Sequence, residues 1–265
     1  TAPDLVDYYM PENGVYHNLI LAKINSFYPG HANQMMHAFW GVGQMSFVKH
    51  AIYVNSDAPK LTSHDEIIRH ILNRINVDDI LVSRGATDHL DHASPKFAVG
   101  GKLGLDCTGD EIDELGITLL EDSELLSKMK NISSDIKGLK QYYKDTKNPV
   151  CVISVEKTRS QKYLFEELKA LFSHIKILVI VDEKANDLEN PYMLIWRVTN
   201  NMDSSRDLYI EGNTICLDGT NKNSLDGFTR RWPGDVNCTK SVIDSLRERN
   251  IIDIDDEFIK KHQLY

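Results

Sequence analysis

The sequence predicts an α/β fold with mostly parallel sheets and flanking helices, built from an internally duplicated βαβαβ unit. Apolar runs of strand length alternate with amphipathic segments of helix length, which is the pattern of parallel strands joined by helical crossovers. The same order of elements occurs twice along the chain. A shift of 127 positions, which brings Val54 onto Val181, also aligns many like residues of the two halves.

The first half contains three predicted strands and two predicted helices. The strands are expected at 15–24, 47–54 and 80–83, and the helices at 31–45 and 64–75. Isoleucines and leucines recur at helical spacing in 64–75, so this helix should bury one face against a sheet.

The second half repeats this plan. Strands are expected at 150–155, 175–181 and 208–210, and helices at 161–172 and 191–200. The aligned pairs continue beyond the last strand, as Thr87 with Thr214, Leu90 with Leu217 and Asp91 with Asp218. Two independent units with a similar hydrophobic pattern are the alternative to a duplication.

Four segments follow from this pattern: the first half at 1–110, a helical connector at 111–148, the second half at 149–236 and a helical arm at 237–265. The connector should hold helices at 121–130 and 135–143. The arm should dock on a partner subunit or on its own domain, and the sequence leaves both open.

Composition excludes several classes of function. The 265 residues carry a formal net charge of −9, which disfavours nucleic acids because the densest basic segment, 137–147, is diluted by apolar residues. No apolar run reaches the roughly 18 residues of a membrane span, and no signal peptide opens the chain. The four cysteines form no C-x-x-C pair, so reduced thiols in the cytoplasm are expected. The chain begins with Thr1, which suggests a piece of a longer protein.

A glycine-rich segment, Gly100-Gly101-Lys102-Leu103-Gly104, is the strongest candidate for binding chemistry. In a turn, such glycines let backbone amides and the lysine ammonium approach a phosphate. Leu103 follows the lysine where a Walker A loop has Ser or Thr, so the segment is not that motif. The alternative is a surface lysine in an ordinary turn.

Several ordered motifs together resemble the UbiD-type carboxy-lyases, which are reversible decarboxylases of aromatic and unsaturated acids that use prenylated flavin mononucleotide. The dense motifs are Val6-Asp7-Tyr8-Tyr9-Met10-Pro11-Glu12, Tyr28-Pro29-Gly30-His31-Ala32, Leu90-Asp91-His92-Ala93-Ser94-Pro95 and Gly101-Lys102-Leu103-Gly104-Leu105-Asp106-Cys107-Thr108. Fainter resemblance returns at 202–207, 217–222 and 232–235. The match is to the C-terminal domain of that family.

The resemblance implies specific roles for a few residues. Lys102, with Gly100 and Gly101, would bind the phosphate of the prenylated flavin, and Tyr8, Tyr9 and Met10 would line the substrate pocket. No catalytic residue or metal ligand is carried over. The family's main flavin site, its divalent metal (manganese is expected) and its Glu-Arg-Glu acid/base group belong to an N-terminal domain.

The resemblance therefore implies the C-terminal domain of a decarboxylase that acts on an aromatic or unsaturated carboxylic acid. This domain would close the active-site cleft and support a homo-oligomer, and alone it should be inactive. The long region 109–206 favours a subgroup acting in quinone biosynthesis. Two alternatives remain: a non-catalytic α/β oligomerisation module, and an independent nucleotide-binding protein.

Histidines near the motifs invite a metal-binding interpretation that the repeat argues against. His89, Asp91 and His92 are close in sequence, but the aligned Leu217-Asp218 keeps the aspartate and loses both histidines. A structural role is therefore predicted for Asp91. For His31, at a predicted helix start, hydrogen bonding or packing is favoured over a base or ligand role.

Overall fold

The chain forms two five-stranded sheets whose strands follow the same order. The computed structural model describes residues 2–263. The first sheet has the order β1-β2-β3-β5-β4 and the second β6-β7-β8-β10-β9. The strands are β1 (Leu5–Tyr9), β2 (Leu19–Ile24), β3 (His50–Asn55), β4 (Ile80–Ala86), β5 (Val99–Cys107), β6 (Ile136–Tyr142), β7 (Val150–Val155), β8 (Ile177–Asp182), β9 (Leu208–Glu211) and β10 (Thr214–Asp218).

Each sheet is mixed rather than mostly parallel. The three central strands run parallel, and the two edge strands are antiparallel to their neighbours. The predicted α/β class is confirmed. The antiparallel edge strands depart from the predicted parallel pattern because their connections contain no α-helix.

Helices connect and flank the sheets. They are α1 (His31–Trp40), α2 (His64–Leu72), α3 (Asp122–Ile132), α4 (Gln161–Glu167), α5 (Pro191–Asn201), α6 (Ser204–Asp207), α7 (Lys240–Glu248) and α8 (Asp256–His262). The predicted helices at 31–45 and 161–172 end early, and 3-10 helices follow at Gly43–Phe47 and Leu168–His174. Among residues 2–263, no helix is both long enough and apolar enough to span a bilayer.

The strand registers confirm two similar units. His50 of β3 pairs with Leu19, and the equivalent Ile177 of β8 pairs with Val150. Both edge pairs also break register at the same point, between Leu5 and Asp7 in the first sheet and between Ile136 and Gly138 in the second. A shared irregularity of this kind is a feature of one folding unit used twice.

The predicted alignment of the halves fails after β4 and β9. Residues 87–98 separate β4 from β5, whereas Gly212 and Asn213 alone separate β9 from β10. The pairing of Thr87, Leu90 and Asp91 with Thr214, Leu217 and Asp218 is therefore wrong.

Strand pairing and a repeated local turn give the corrected alignment. Leu103 pairs with His50 and Ile215 with Ile177, so Asp106 is the equivalent of Asp218. Each aspartate accepts a hydrogen bond through Oδ1 from the amide of the threonine two residues later, at 3.0 Å for Thr108 and 2.9 Å for Thr220.

The predicted connector is also partly wrong. Its first helix is present as α3, but 135–143 forms strand β6 instead of a second helix. The second structural unit therefore begins inside the segment assigned to the connector. The lysines of β6 form ion pairs at the surface, as Lys137 does with Glu156 at 2.9 Å. Because these charges interrupt the apolar pattern of the strand, its sequence resembles a charged helix.

One apolar core joins the two halves. Residues of α2 and β3, including Ile67 and Val54, pack in one cluster with Val179 and Val181 of β8 and Leu194 of α5. Both sheets bury one face in this cluster, and the opposite face of each sheet is covered by a separate apolar cluster within its own half.

The C-terminal arm packs on its own chain. The side-chain amide of Asn190 donates to the carbonyls of Lys260 and Lys261 at 3.1 Å each, and the Tyr192 ring lies edge-on to His262. In this chain, the last helix of the arm, α8, therefore packs beside α5 of its own domain.

Candidate functional site

The glycine-rich segment is a strand in the interior of the first sheet, not a turn. Gly100 to Asp106 lie within β5, which pairs with β3 on one side and β4 on the other. The predicted turn is wrong because β4 pairs with Val99 to Leu105 and β3 with Leu103 to Cys107, which holds the segment in an extended conformation.

The ammonium of Lys102 is buried in its own chain. The residue has 0% exposure, and Nζ donates to the carbonyl oxygens of Ser46 at 2.7 Å, Val48 at 2.8 Å and Ala86. An ammonium has three hydrogens, so these carbonyls use its full donor capacity. Burial and, less strongly, the nearby Lys49 ammonium lower the pKa of Lys102 to about 8.

The two glycines receive an anion, but that anion belongs to the protein. The amide of Gly101 donates to Asp203 Oδ2 at 2.8 Å. A Cβ on Gly100 would lie 2.6 Å from the same oxygen, and one on Gly101 would lie 2.6 Å from Ser204 Oγ. Glycine is required at both positions because Asp203 and α6 of the second half lie against β5 and leave no space for a side chain.

A buried group of charges, which we call the junction cluster, surrounds this contact. It consists of Lys49, Asp91, Lys102, Asp203, Asp207, Asp218 and Lys222. It lies where the β4–β5 loop and β5 of the first half meet α6 and the end of β10 of the second half.

Two ion-pair groups neutralise most of this charge. Lys49 Nζ lies 2.8 Å from Asp91 Oδ1, and Asp91 Oδ2 accepts from the amide of Ser94 at 3.1 Å. Lys222 Nζ lies 3.0 Å from Asp218 Oδ1 and 3.6 Å from Asp207 Oδ1. Buried charges persist when they are paired and hydrogen-bonded in this way.

The ionisation of the carboxylates follows from these pairs. Burial raises the pKa of Asp91 and of Asp218, but nearby ammonium groups, chiefly Lys49 and Lys222 respectively, together with hydrogen bonds from Ser94 and Thr220 outweigh it, so both pKa values lie below the ordinary range. For Asp207 burial prevails and its pKa is raised. Asp218 Oδ2 is a buried atom without a hydrogen-bond partner among the described residues.

Two arginines of the second half form hydrogen bonds with the loop between β4 and β5. Arg206 Nη1 donates to the Ala93 carbonyl at 3.1 Å, and Arg230 Nη1 donates to the Ser94 carbonyl at 2.7 Å. The His92 ring lies edge-on to Trp232, with ring centroids 4.6 Å apart. The structural role predicted for Asp91 agrees with these contacts, although the alignment used to predict it was wrong.

His50 and Asn148 each form a hydrogen bond to the end of a helix in the other half. His50 Nε2 lies 3.3 Å from the Thr199 carbonyl at the end of α5, so this nitrogen carries the proton. Asn148 Nδ2 donates at 2.8 Å to the carbonyl of Leu72, the equivalent residue at the end of α2. Burial lowers the pKa of His50 to about 3, so its imidazole is neutral.

The three residues predicted to line a substrate pocket separate onto different surfaces. Tyr8 is 55% exposed and borders an apolar hollow of about 280 Å³ with Phe39, Val42 and Met45. Tyr9 packs on the shared core and stacks on His64, and Met10 packs on the first half's own core. Tyr8 and Tyr9 diverge because successive residues of a strand point to opposite faces.

Lys102, Gly100 and Gly101 do not fit a cofactor phosphate in this conformation. The ammonium and the Gly101 amide already have partners, and both glycines are covered by the second half. No group of three or more potential metal-ligating side chains occurs among the residues that the structure describes. The junction cluster therefore fixes the orientation of the two halves.

The segments of family resemblance contain every member of the junction cluster except Lys49, which resembles a surface lysine until its partner Asp91 is known. The sequence could not predict that these segments meet. The repeated Asp-x-Thr motif, at Asp106 and Asp218, was the available signal, but the ungapped shift of the chain concealed it.

Comparisons with known proteins agree with the resemblance. The family model for the 3-octaprenyl-4-hydroxybenzoate carboxy-lyase C-terminal domain matches residues 1–107 and 116–244. Uncharacterized proteins from two strains of Helicobacter pylori are each 50% identical over 252 residues. The match covers 95% of this chain but 41% of those proteins, so the chain spans less than half the length of these relatives. An uncharacterized protein of Archaeoglobus fulgidus is 34% identical over 116 residues, covering 42% of this chain and 24% of that protein.

Solved structures resemble the chain more distantly. The UbiD-class enzyme HmfF from Pelotomaculum thermopropionicum, in complex with FMN, is 19% identical, with a TM-score of 0.37 over 42% of this chain and 24% of that chain. Vanillic acid decarboxylase from Sedimentibacter hydroxybenzoicus in its open form is 15% identical, with a TM-score of 0.37 over 50% of this chain and 30% of that chain. The family model spans nearly the whole chain, and on that match the chain belongs to the UbiD carboxy-lyase C-terminal domain family.

Proposed function

We propose that this chain is the C-terminal domain of a prenylated-flavin-dependent decarboxylase whose substrate is an aromatic or unsaturated carboxylic acid. The observation that carries the proposal is the family match over residues 1–107 and 116–244. The relatives that are 50% identical to this chain are more than twice its length, which leaves room for a separate catalytic domain. A quinone precursor is the first substrate to examine, and a homo-oligomer is the expected assembly.

The role we assign to this domain is to form one wall of the active-site cleft. Ligand pockets commonly lie between domains, and Tyr8 borders an open apolar hollow on the first half. Tyr9 and Met10 hold this strand in place from the core side. The flavin would supply the electron sink for loss of CO2, and its phosphate would be held outside the junction cluster.

Activity is tested on the full-length protein loaded with prenylated flavin. Candidate acids, starting with 4-hydroxybenzoate and cinnamate, are incubated in deuterium oxide, and CO2 release and deuterium at the vacated carbon are measured. Turnover of one acid by the loaded protein, and none by the unloaded protein or by this chain alone, supports the proposal. Flavin binding without turnover of any acid in a broad panel would contradict it.

The role of Lys102 needs a separate test, because the family resemblance predicts phosphate binding by this residue whereas its buried contacts lead us to propose a structural role. We expect Lys102→Met to lower the free energy of unfolding by about 2–4 kcal/mol, since it leaves the carbonyls of Ser46, Val48 and Ala86 without their donor. Flavin affinity of the folded variant should stay within about threefold of the parent. Denaturant titration and flavin fluorescence measure the two effects.

The opposite result would restore the phosphate role. If the folded Lys102→Met protein lost its flavin while its stability hardly changed, the carbonyls around the ammonium would have to open in the loaded enzyme. The 3-10 helix Gly43–Phe47, which has no buried residue, would then be the segment that moves. Lys169→Met, which changes a surface lysine, serves as the control.

A further inference from the structure

The two halves differ at one equivalent pair of lysines. Lys49 directly precedes β3, and its carbonyl accepts from the Leu103 amide at 2.8 Å. Lys176 directly precedes β8, and its carbonyl accepts from the Ile215 amide at 2.9 Å. The register of the sheets already makes Leu103 and Ile215 equivalent. The lysines therefore occupy the same place in the repeated unit.

Their ammonium groups have different surroundings. Lys49 Nζ lies 2.8 Å from the carboxylate of Asp91, which belongs to the loop 87–98 between β4 and β5. Lys176 is only 8% exposed, yet its ammonium has no hydrogen bond or ion pair within residues 2–263. Burial without a compensating charge lowers the pKa of Lys176.

The missing partner is explained by the missing loop. Strands β9 and β10 are joined by Gly212 and Asn213 alone, so nothing equivalent to Asp91 reaches Lys176. A cavity of about 340 Å³ lies there, and Lys176 lines it. The position of Lys102 in the first half is taken in the second by Thr214, a smaller residue that also lines the cavity.

The walls of the cavity indicate the kind of ligand that it would accept. Ile117, Phe172 and Ile175 form an apolar side. At the edge, Lys169 Nζ lies 2.6 Å from Glu166 Oε2 and 3.2 Å from Glu211 Oε2, so two carboxylates share this ammonium. Lys176 is the lysine of the cavity wall that has no ion pair among residues 2–263, and its single charge matches a monoanion that carries a small apolar group.

We propose that this cavity binds a small organic monocarboxylate, whose carboxylate pairs with Lys176 as Asp91 pairs with Lys49. The site is in the second half, at the β9–β10 hairpin, and is separate from the junction cluster. The inference rests on the duplication and not on the proposed decarboxylase activity. The proposed carboxylate site would stand even if the full-length protein decarboxylated no acid.

Binding is tested with benzoate as the probe, on the 265-residue chain. Benzamide has nearly the same size without the charge, and inorganic phosphate has charge without an apolar group. Calorimetry gives the affinities, and the NMR shifts of the Gly212 and Asn213 amides report binding at this place. We expect benzoate to bind at least tenfold more tightly than benzamide or phosphate, as one charge-assisted hydrogen bond allows.

Two substitutions locate the charge. Lys176→Met should weaken benzoate binding at least tenfold, whereas Lys169→Met should change it less than about threefold. Lys176→Met should also fold, because the ammonium faces the cavity and makes no hydrogen bond or ion pair whose loss would leave a buried partner unpaired. Unchanged benzoate binding by Lys176→Met, or no binding to the parent chain at millimolar benzoate, would overturn the proposal.

A third substitution supplies the missing carboxylate from the protein itself. A Cβ on Gly116 would lie 3.5 Å from Lys176 Nζ, and the backbone there has φ +68°, which Asp and Asn tolerate better than most residues. Gly116→Asp should therefore abolish benzoate binding, and Gly116→Asn, with the same size and backbone strain, should retain more of it. An equal loss of benzoate binding in both variants would mean that the added side chain blocks the cavity by its size, which would count against the ion pair. Tighter binding of phosphate than of benzoate by the parent chain would also count against the proposal.

Discussion

At the scale of single residues, the surroundings of each buried lysine decide what it does. Lys49 faces a carboxylate, Lys102 faces three carbonyl oxygens, and Lys222 lies between two carboxylates. Lys176 faces a cavity. The same side chain therefore serves as a structural cation in three places and as a candidate ligand-binding cation in the fourth.

His50 gives a pH-dependence prediction at this scale. Burial lowers its pKa from 6.5 to about 3, with Lys49 and Lys102 lowering and Asp91 raising it. Between these two values the unfolded chain binds a proton that the folded chain does not. The titration of His50 therefore leaves the free energy of unfolding unchanged above pH 6.5. As the pH drops from 6.5 toward 3, it lowers that free energy by about 1.4 kcal/mol per pH unit.

The comparison variant is His50→Gln, whose side-chain amide can still donate to the Thr199 carbonyl. Free energies of unfolding are measured for both proteins by denaturant titration from pH 7 to pH 4. The difference between them should change with the slope expected for one proton, because other titrating groups cancel. A difference that is constant over this range would mean that His50 is not held neutral.

At the scale of elements, the contact between β5 and α6 holds the two halves in register. It depends on two successive glycines, since the Gly101 amide binds the carboxylate of Asp203 and the backbone of Ser205 lies directly over Gly101. Any side chain at these positions would push α6 away from the strand.

Gly101→Ala tests this contact. Its Cβ would meet the Ser205 backbone nitrogen at 2.5 Å and Asp203 Oδ1 at 2.7 Å, so we expect a loss of about 3 kcal/mol in the free energy of unfolding. Gly85→Ala is the matched control on β4. Its Cβ meets Lys102 Cε at 3.4 Å, an ordinary contact, so the change should stay below about 1 kcal/mol. Denaturant titration measures both, and equal effects would contradict the role given to Gly101.

The elements also reveal what the sequence could and could not predict. Apolar runs located the central strands β3 and β7, which are buried on both faces, and hydrophobic periodicity located α2 and α5. It failed at Gly100–Asp106, where glycines required by a neighbouring segment look like a turn, and at 135–143, where exposed lysines hide a strand. Contacts between residues far apart in sequence, such as Lys49 with Asp91, leave no local pattern.

At the scale of the whole molecule, the two halves form one folding unit. The shared core draws on both sheets and on α2 and α5, and the hydrogen bonds of His50 and Asn148 join each half to a helix end of the other. A duplicated chain with separate cores would unfold in two steps, whereas a shared core couples the halves.

We therefore expect a single unfolding transition. Trp40 lies at the end of α1 in the first half and Trp196 in α5 of the second, so each can report on its own half once the other tryptophans are replaced by phenylalanine. Each single-tryptophan protein is titrated with denaturant while its fluorescence and circular dichroism are recorded. In each protein the two signals should give the same midpoint and the same dependence on denaturant. In the Gly101→Ala background the midpoints should fall together, because a contact between the halves cannot be lost by one of them alone. If the Trp40 and Trp196 signals changed at different denaturant concentrations, the halves would be independent domains, and the junction cluster would only join them.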